Sequence, residues 1–154
     1  MGKTFAIDKD HGFWVGEFSG TVFKDAGQGF RHGTSWVCPG VNDMLNGIST
    51  ASHGYCVVTD KDGDKAFLVW QGGKGFEGDY QWTGGTGKYT GLKGSNTWRA
   101  FALPSTSQGY GLLKGEWQLP AFSAKYPPVH VPGKGLQSLV GAPPPEDVKD
   151  RSGH

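Results

Sequence analysis

The sequence predicts an all-β protein, an antiparallel closed β-barrel of about eight strands followed by an extended Pro-rich C-terminal tail. Three observations carry this. The 154 residues include 27 Gly and 9 Pro, too many chain breakers for a helical bundle, and no Gly-X-Y period points to collagen. Aromatic residues make up 13% of the chain, and six residues are Trp; a polar disordered chain does not carry that apolar mass. Finally, short runs of β-formers recur between turn signals, with little trace of a helical period.

In chain order, the first run is residues 3–7. The second, 13–23, alternates large with small or polar residues and is broken by Asp25-Ala26-Gly27-Gln28-Gly29. The third, 30–38, stops at Pro39-Gly40, and residues 41–47 read as a long loop lidding the barrel mouth. The fourth, 49–59, turns at Asp60-Lys61-Asp62-Gly63-Asp64, a hairpin loop with Asp and Gly at its tip. Runs 65–71 and 75–82 follow, separated by Gly72-Gly73, then a Gly-rich segment, then runs 96–103 and 109–119, the last ended by Pro120. Glycines inside these runs (Gly16, Gly20, Gly54, Gly78, Gly111, Gly115) favour a barrel over a sandwich, because a tightly coiled sheet needs bends and close backbone approaches.

Residues 1–120 are therefore read as the barrel domain and 121–154 as the tail. Pro127-Pro128, Pro132 and Pro143-Pro144-Pro145 mark the change, and 136–140 is the tail's one apolar patch, a candidate anchor. Residues 145–154 read as disordered.

Net charge is +1 and Lys/Arg residues do not cluster, so no electrostatic footprint for nucleic acid is present. No apolar run approaches the roughly 20 residues of a membrane helix. The first residues lack a signal peptide's apolar stretch, and Ala6 breaks the myristoylation pattern. The expectation is a soluble cytoplasmic protein, with Cys38 and Cys56 as buried reduced thiols; a bridge between them requires their strands to pair.

The segment 82–98 carries the strongest local signal. It is too Gly-rich to ignore as a phosphate loop, but Gly87-Lys88 is followed by Tyr89 where Ser or Thr is needed, and three residues separate Gly87 from Gly91 where a dinucleotide fingerprint has two. Its physical sense is a strand exit, a short helical turn and a re-entry. The first glycines permit positive φ, Tyr89 and Leu92 plug the barrel end, and Gly91 and Gly94 return the chain to the sheet. The run Gly84-Gly85-Thr86-Gly87-Lys88-Tyr89-Thr90-Gly91-Leu92-Lys93-Gly94 resembles the glycine-rich element of the allene oxide cyclase and dirigent protein superfamily, and is similar to that of small bacterial proteins of this barrel type. The resemblance implies an eight-stranded barrel with an apolar cavity, dimeric or trimeric assembly, and in some members chemistry on oily, oxygenated substrates. It carries no catalytic residue over to this chain.

Strand alternation places His53 and Tyr55 on one face of run 49–59. Inside an apolar barrel they suit a general base and acid acting on an enolisable substrate or an epoxide; on the outer surface they have no such role. Glu17, if buried, has a raised pKa and moves protons, and Arg99 suits a carboxylate or enolate oxygen; outward, solvated positions are the alternative for both. Trp36, Trp70, Trp98 and Trp117, with Asn42 in the lid, are the candidate substrate-binding residues, core filling being the other reading of each Trp. The five His are isolated, without metal-ligand spacing, so no metal and no cofactor are expected.

Two functions follow. One is a cofactor-free isomerase, cyclase or lyase acting on an apolar oxygenated molecule in the cavity. The other is a non-catalytic carrier of lipocalin type, which Gly12-Phe13-Trp14 fits through the Gly-x-Trp signature. A structural oligomer joined through the tail is a third. The expected partners are a hydrophobic small molecule and further copies of the chain.

Overall fold

The computed structural model describes residues 1–104, 108–120 and, as backbone, 137–140. Eight strands follow one another: β1 (Gly2–Ala6), β2 (His11–Lys24), β3 (Thr34–Leu45), β4 (Ile48–Thr59), β5 (Lys65–Gly72), β6 (Glu77–Gly85), β7 (Gly94–Ala102) and β8 (Gly109–Gly115). Each pairs antiparallel with the next in a single sheet.

The all-β expectation holds, but the closed eight-stranded barrel does not form. Strands β1–β8 form an open half-barrel in which β8 and β2 do not pair with each other. The reason lies on the outer edge of β2. Its first half is taken by β1, from Gly2 opposite Gly16 to Ala6 opposite Gly12. A four-residue strand, β9 (Gln137–Val140), runs along the remaining edge and pairs with Thr21–Lys24 of β2 and Tyr110–Leu113 of β8. Most of the apolar patch 136–140 thus joins the sheet. The other expectations for 121–154 lie outside the described residues.

A second correction concerns residues 39–47. They form no lid. Pro39-Gly40 sits inside β3, which continues to Leu45 and turns at Asn46-Gly47, with φ of 51° and 74°. Two consecutive positive φ values are the signature of the tight hairpin turn that Asn-Gly favours. Pro39 lacks an N–H, and the β3–β4 ladder lapses between the Val37–Val57 and Gly40–Gly54 pairs. Cys38 and Cys56 face each other in that gap and are joined as a disulfide, not the expected free thiols.

The Gly-rich segment behaves as the sequence predicts. Gly84 (φ 129°) lies at the exit of β6, which ends at Gly85, a 3-10 turn spans Gly87–Tyr89, and Gly91 (φ 74°) and Gly94 (φ 148°) lead into β7. Tyr89 and Leu92 are buried. They join Trp36, Val58, Ala66, Leu68, Tyr80, Trp82, Leu113 and Trp117 in one core at this end of the half-barrel. Burying each large apolar side chain contributes about 1.5–3 kcal/mol. Phe30, from the β2–β3 connection, lies over this core, its ring 4.1 Å from that of Trp117 and 5.5 Å from that of Tyr89.

Candidate functional site

Strand registers arrange the concave face in rows. One row crosses the whole sheet: Gly2, Gly16, Gly40, Gly54, Trp70, Tyr80, Asn96 and Gly115. Its first half is glycine, and that has a packing reason. A Cβ on Gly40 or Gly54 would overlap the Trp70 indole, and a Cβ on Gly2 or Gly16 would overlap that of Trp14. In the next row, a Cβ on Gly72 would press on Trp98. Large flat rings thus lie on a saddle of bare backbone.

These rings form a chain along the concave face. Trp14 and Phe18 lie 4.7 Å apart, Phe18 and Trp70 6.2 Å, and Trp70 and Trp98 5.9 Å. Phe18 remains 47% exposed, so this end is an open aromatic wall. A second group of rings, Tyr80, Trp82 and Trp36, is buried beside this chain, each 5.7–6.3 Å from the others, with Tyr80 the cross-strand partner of Trp70.

At the deep end the side chains turn polar. Arg31, 3% exposed, enters from the β2–β3 connection on a backbone with φ 70°. A left-handed conformation costs an ordinary residue about 1–2 kcal/mol, so the fold holds this side chain inward at some expense. Its Nη1 donates to Tyr80 Oη over 2.5 Å, and its Cζ stands 5.2 Å above the Trp82 ring and 5.2 Å above that of Phe30. Burial lowers the Arg31 pKa and raises that of Tyr80, each effect partly offset by the other group. Among the described residues, Arg31 Nε, Trp82 Nε1, Asn96 Nδ2 and Asn96 Oδ1 are buried without a hydrogen-bond partner. By contrast, three other indoles on the inner side are satisfied: Trp36 donates to Thr34 Oγ1, Trp70 to the Tyr55 carbonyl and Trp98 to the Gln71 carbonyl. Buried polar atoms nearly always find partners, so three donor groups and one acceptor left open around Tyr80 mark this place as unusual.

The sequence-predicted residues divide by strand parity. Trp36, Trp70, Trp117 and Asn42 are buried on the inner side and Trp98 is half-buried there. Asn42 serves the structure, accepting a hydrogen bond from Ser49 Oγ over 2.6 Å, and Trp117 belongs to the plug with Phe30. His53, Tyr55, Glu17 and Arg99 point the other way. All four are exposed on the convex face, Tyr55 at 65%. Alternation puts them there, because their strand neighbours Ser52, Gly54, Gly16 and Trp98 take the inner positions. Arg99 pairs loosely with Glu77 at 3.5 Å on the wall of an open cleft of about 590 Å³. The structure does not gather these four into an acid–base centre.

Arg31, Tyr80, Trp82 and Asn96 were the residues to find. Tyr80 opposite Asn96 follows from strand pairing, but Arg31 lies in a Gly-rich connection where nothing local signals an inward cation. Comparison with protein-family models, curated proteins and solved structures finds no match to this chain.

Proposed function

We propose that the concave face binds an apolar small molecule bearing an oxygen acceptor, its body on the aromatic wall of Phe18, Trp70 and Trp98 and its polar end toward Tyr80 and Asn96. The observation that carries this reading is the run of rings from an exposed mouth to a deep end where buried hydrogen-bonding groups stand open. Concave, mostly apolar surfaces with a few convergent polar groups are the usual form of a ligand site. Carriage is the better reading of the two, because the four acid–base candidates are on the opposite face. An isomerase, cyclase or lyase would work through the Arg31–Tyr80 pair, whose phenol is held ready to polarise a ligand oxygen.

Self-association is proposed to use the convex face. Val15, Val37 and Tyr55 are exposed there, beside Val41, Val57 and Val69 in register. Sedimentation velocity is expected to show a dimer or trimer that Val37→Lys dissociates; a monomeric wild type contradicts it.

The test of binding is a titration with the neutral fluorophore N-phenyl-1-naphthylamine, read by energy transfer from tryptophan. A saturable one-site signal is expected. A linear, non-saturating response contradicts the reading.

A further inference from the structure

Resting on that reading, we infer that the ligand is a carboxylate, and that Arg31 is the residue which recognises its charge.

A guanidinium removed from water needs an anion or a dense set of acceptors. Arg31 is 3% exposed, and no carboxylate among the described residues pairs with it. Among the described residues its one hydrogen-bond acceptor is the neutral phenol of Tyr80. The faces of Phe30 and Trp82 supply cation–π contact, which attracts the cation but leaves its N–H groups unused. Burial correspondingly lowers the Arg31 pKa, and Tyr80 compensates this only in part.

The open groups are the complement of a carboxylate. Nη1 is engaged with Tyr80, whereas Nε is open, and the Nε edge of a guanidinium is one of those that meets a carboxylate with two parallel hydrogen bonds. Tyr80 accepts from Arg31 and keeps its own O–H to donate. Trp82 Nε1 is a donor only, and it is open as well. Asn96 stands directly opposite Tyr80 in the β6–β7 ladder, its amide held against Gly115, where a Cβ would overlap it. Among these groups donors outnumber acceptors. A neutral alcohol would leave the cation uncompensated, and a cationic ligand would meet a like charge. The aromatic lining sets the rest of the ligand as flat or aliphatic, which makes the class an apolar carboxylic acid in its ionised form.

The test compares two ligands of the same shape and different charge, 2-naphthoate and 2-naphthamide, as displacers of N-phenyl-1-naphthylamine at pH 7. The carboxylate is expected to displace at least about tenfold more effectively, one such factor being what a single charge-assisted contact supplies. Arg31→Gln is expected to abolish the preference. Tyr80→Phe, which keeps the ring and so the packing, is expected to reduce it. Equal displacement by the two compounds, or a preference that survives Arg31→Gln, overturns the inference while binding of the neutral fluorophore stands. Absence of fluorophore binding overturns the underlying reading itself.

Discussion

Lys88 Nζ lies 2.6 Å from Asp60 Oδ2, joining the Gly-rich turn after β6 to the hairpin loop between β4 and β5. The same ammonium meets Asp62 Oδ2 at 2.6 Å. The Lys88 backbone N–H reaches Asp64 Oδ2 at 3.3 Å, and Tyr89 Oη donates to Asp60 at 2.8 Å. Two carboxylates of one loop thus converge on a cation supplied by the next, a third takes that residue's backbone N–H, and Tyr89 is fixed in the core by its bond to Asp60.

Breaking this latch is expected to destabilise the protein. Asp60 has a side chain only 7% exposed, and Lys88→Met leaves it without its cation, at a cost of about 1–3 kcal/mol. Urea unfolding of the variant checks this. A midpoint equal to the wild type's contradicts it.

The latch also predicts an acid response. Burial favours the neutral form of Asp60, but Lys88, Tyr89 and the Asp62 N–H outweigh it and hold its pKa below the ordinary value. Asp62 is pulled to about 2 by Lys61 and Lys88. Folded-state values below the unfolded ones mean that the unfolded chain takes up protons first as pH falls. The stability from this cluster is therefore complete above the unfolded carboxylate range of about 4 and is lost on going down toward pH 2. Unfolding midpoints across pH 6 to 2 are expected to fall less steeply in Lys88→Met than in the wild type.

The cross-strand bridge is the next target. Cys38 and Cys56 are 18 residues apart in sequence, and a loop of that size contributes about 3 kcal/mol in the chain-entropy account. The double variant to Ser is expected to lose that much in urea unfolding. Thiol titration of the untreated denatured protein should find no free cysteine; two reactive thiols would contradict the bridge.

Glycines under the indoles should resist even the smallest side chain. Gly40→Ala and Gly54→Ala force Trp70 off its seat and are expected to cost about 1–3 kcal/mol through overpacking. Gly73, where a Cβ meets nothing within 4 Å, is the control. Gly73→Ala is expected to change stability by less than about 0.5 kcal/mol.

The deep polar group should lower stability in the empty protein. Replacing Arg31 by Met together with Tyr80 by Phe removes a buried cation and a buried phenolic oxygen at once. The pair is expected to raise stability by about 1–3 kcal/mol while discarding the carboxylate preference. A destabilised double variant would assign the pair to the fold and not to a ligand.

Much of the fold was legible because turn chemistry and alternation are local. The hairpin at Asp60–Asp64, the re-entry at Gly91 and Gly94, and most strand positions follow from residues within a few places of one another. The run through Pro39-Gly40 misled for a physical reason: that pair signals a turn, yet neighbouring strands held it extended, while Asn46-Gly47 carried the true hairpin signal. Barrel closure is decided by how β1 and β9 share the edge of β2, a long-range outcome without a local mark. The side of the sheet was the harder matter. His53, Tyr55, Glu17 and Arg99 were correctly placed on strands, but period-two alternation does not say which face is concave. Arg31 was invisible because its burial depends on a positive φ and on Tyr80, 49 residues away.

The most direct measurement is the nitrogen–proton correlation spectrum of the six indole N–H groups during titration with N-phenyl-1-naphthylamine followed by 2-naphthoate. The account predicts saturable shifts of Trp70 and Trp98 with the fluorophore, and of Trp82 once the carboxylate is added, while backbone signals of Val37 and Tyr55 on the convex face stay in place. Shifts confined to the convex face, with all six indoles unmoved, would contradict it.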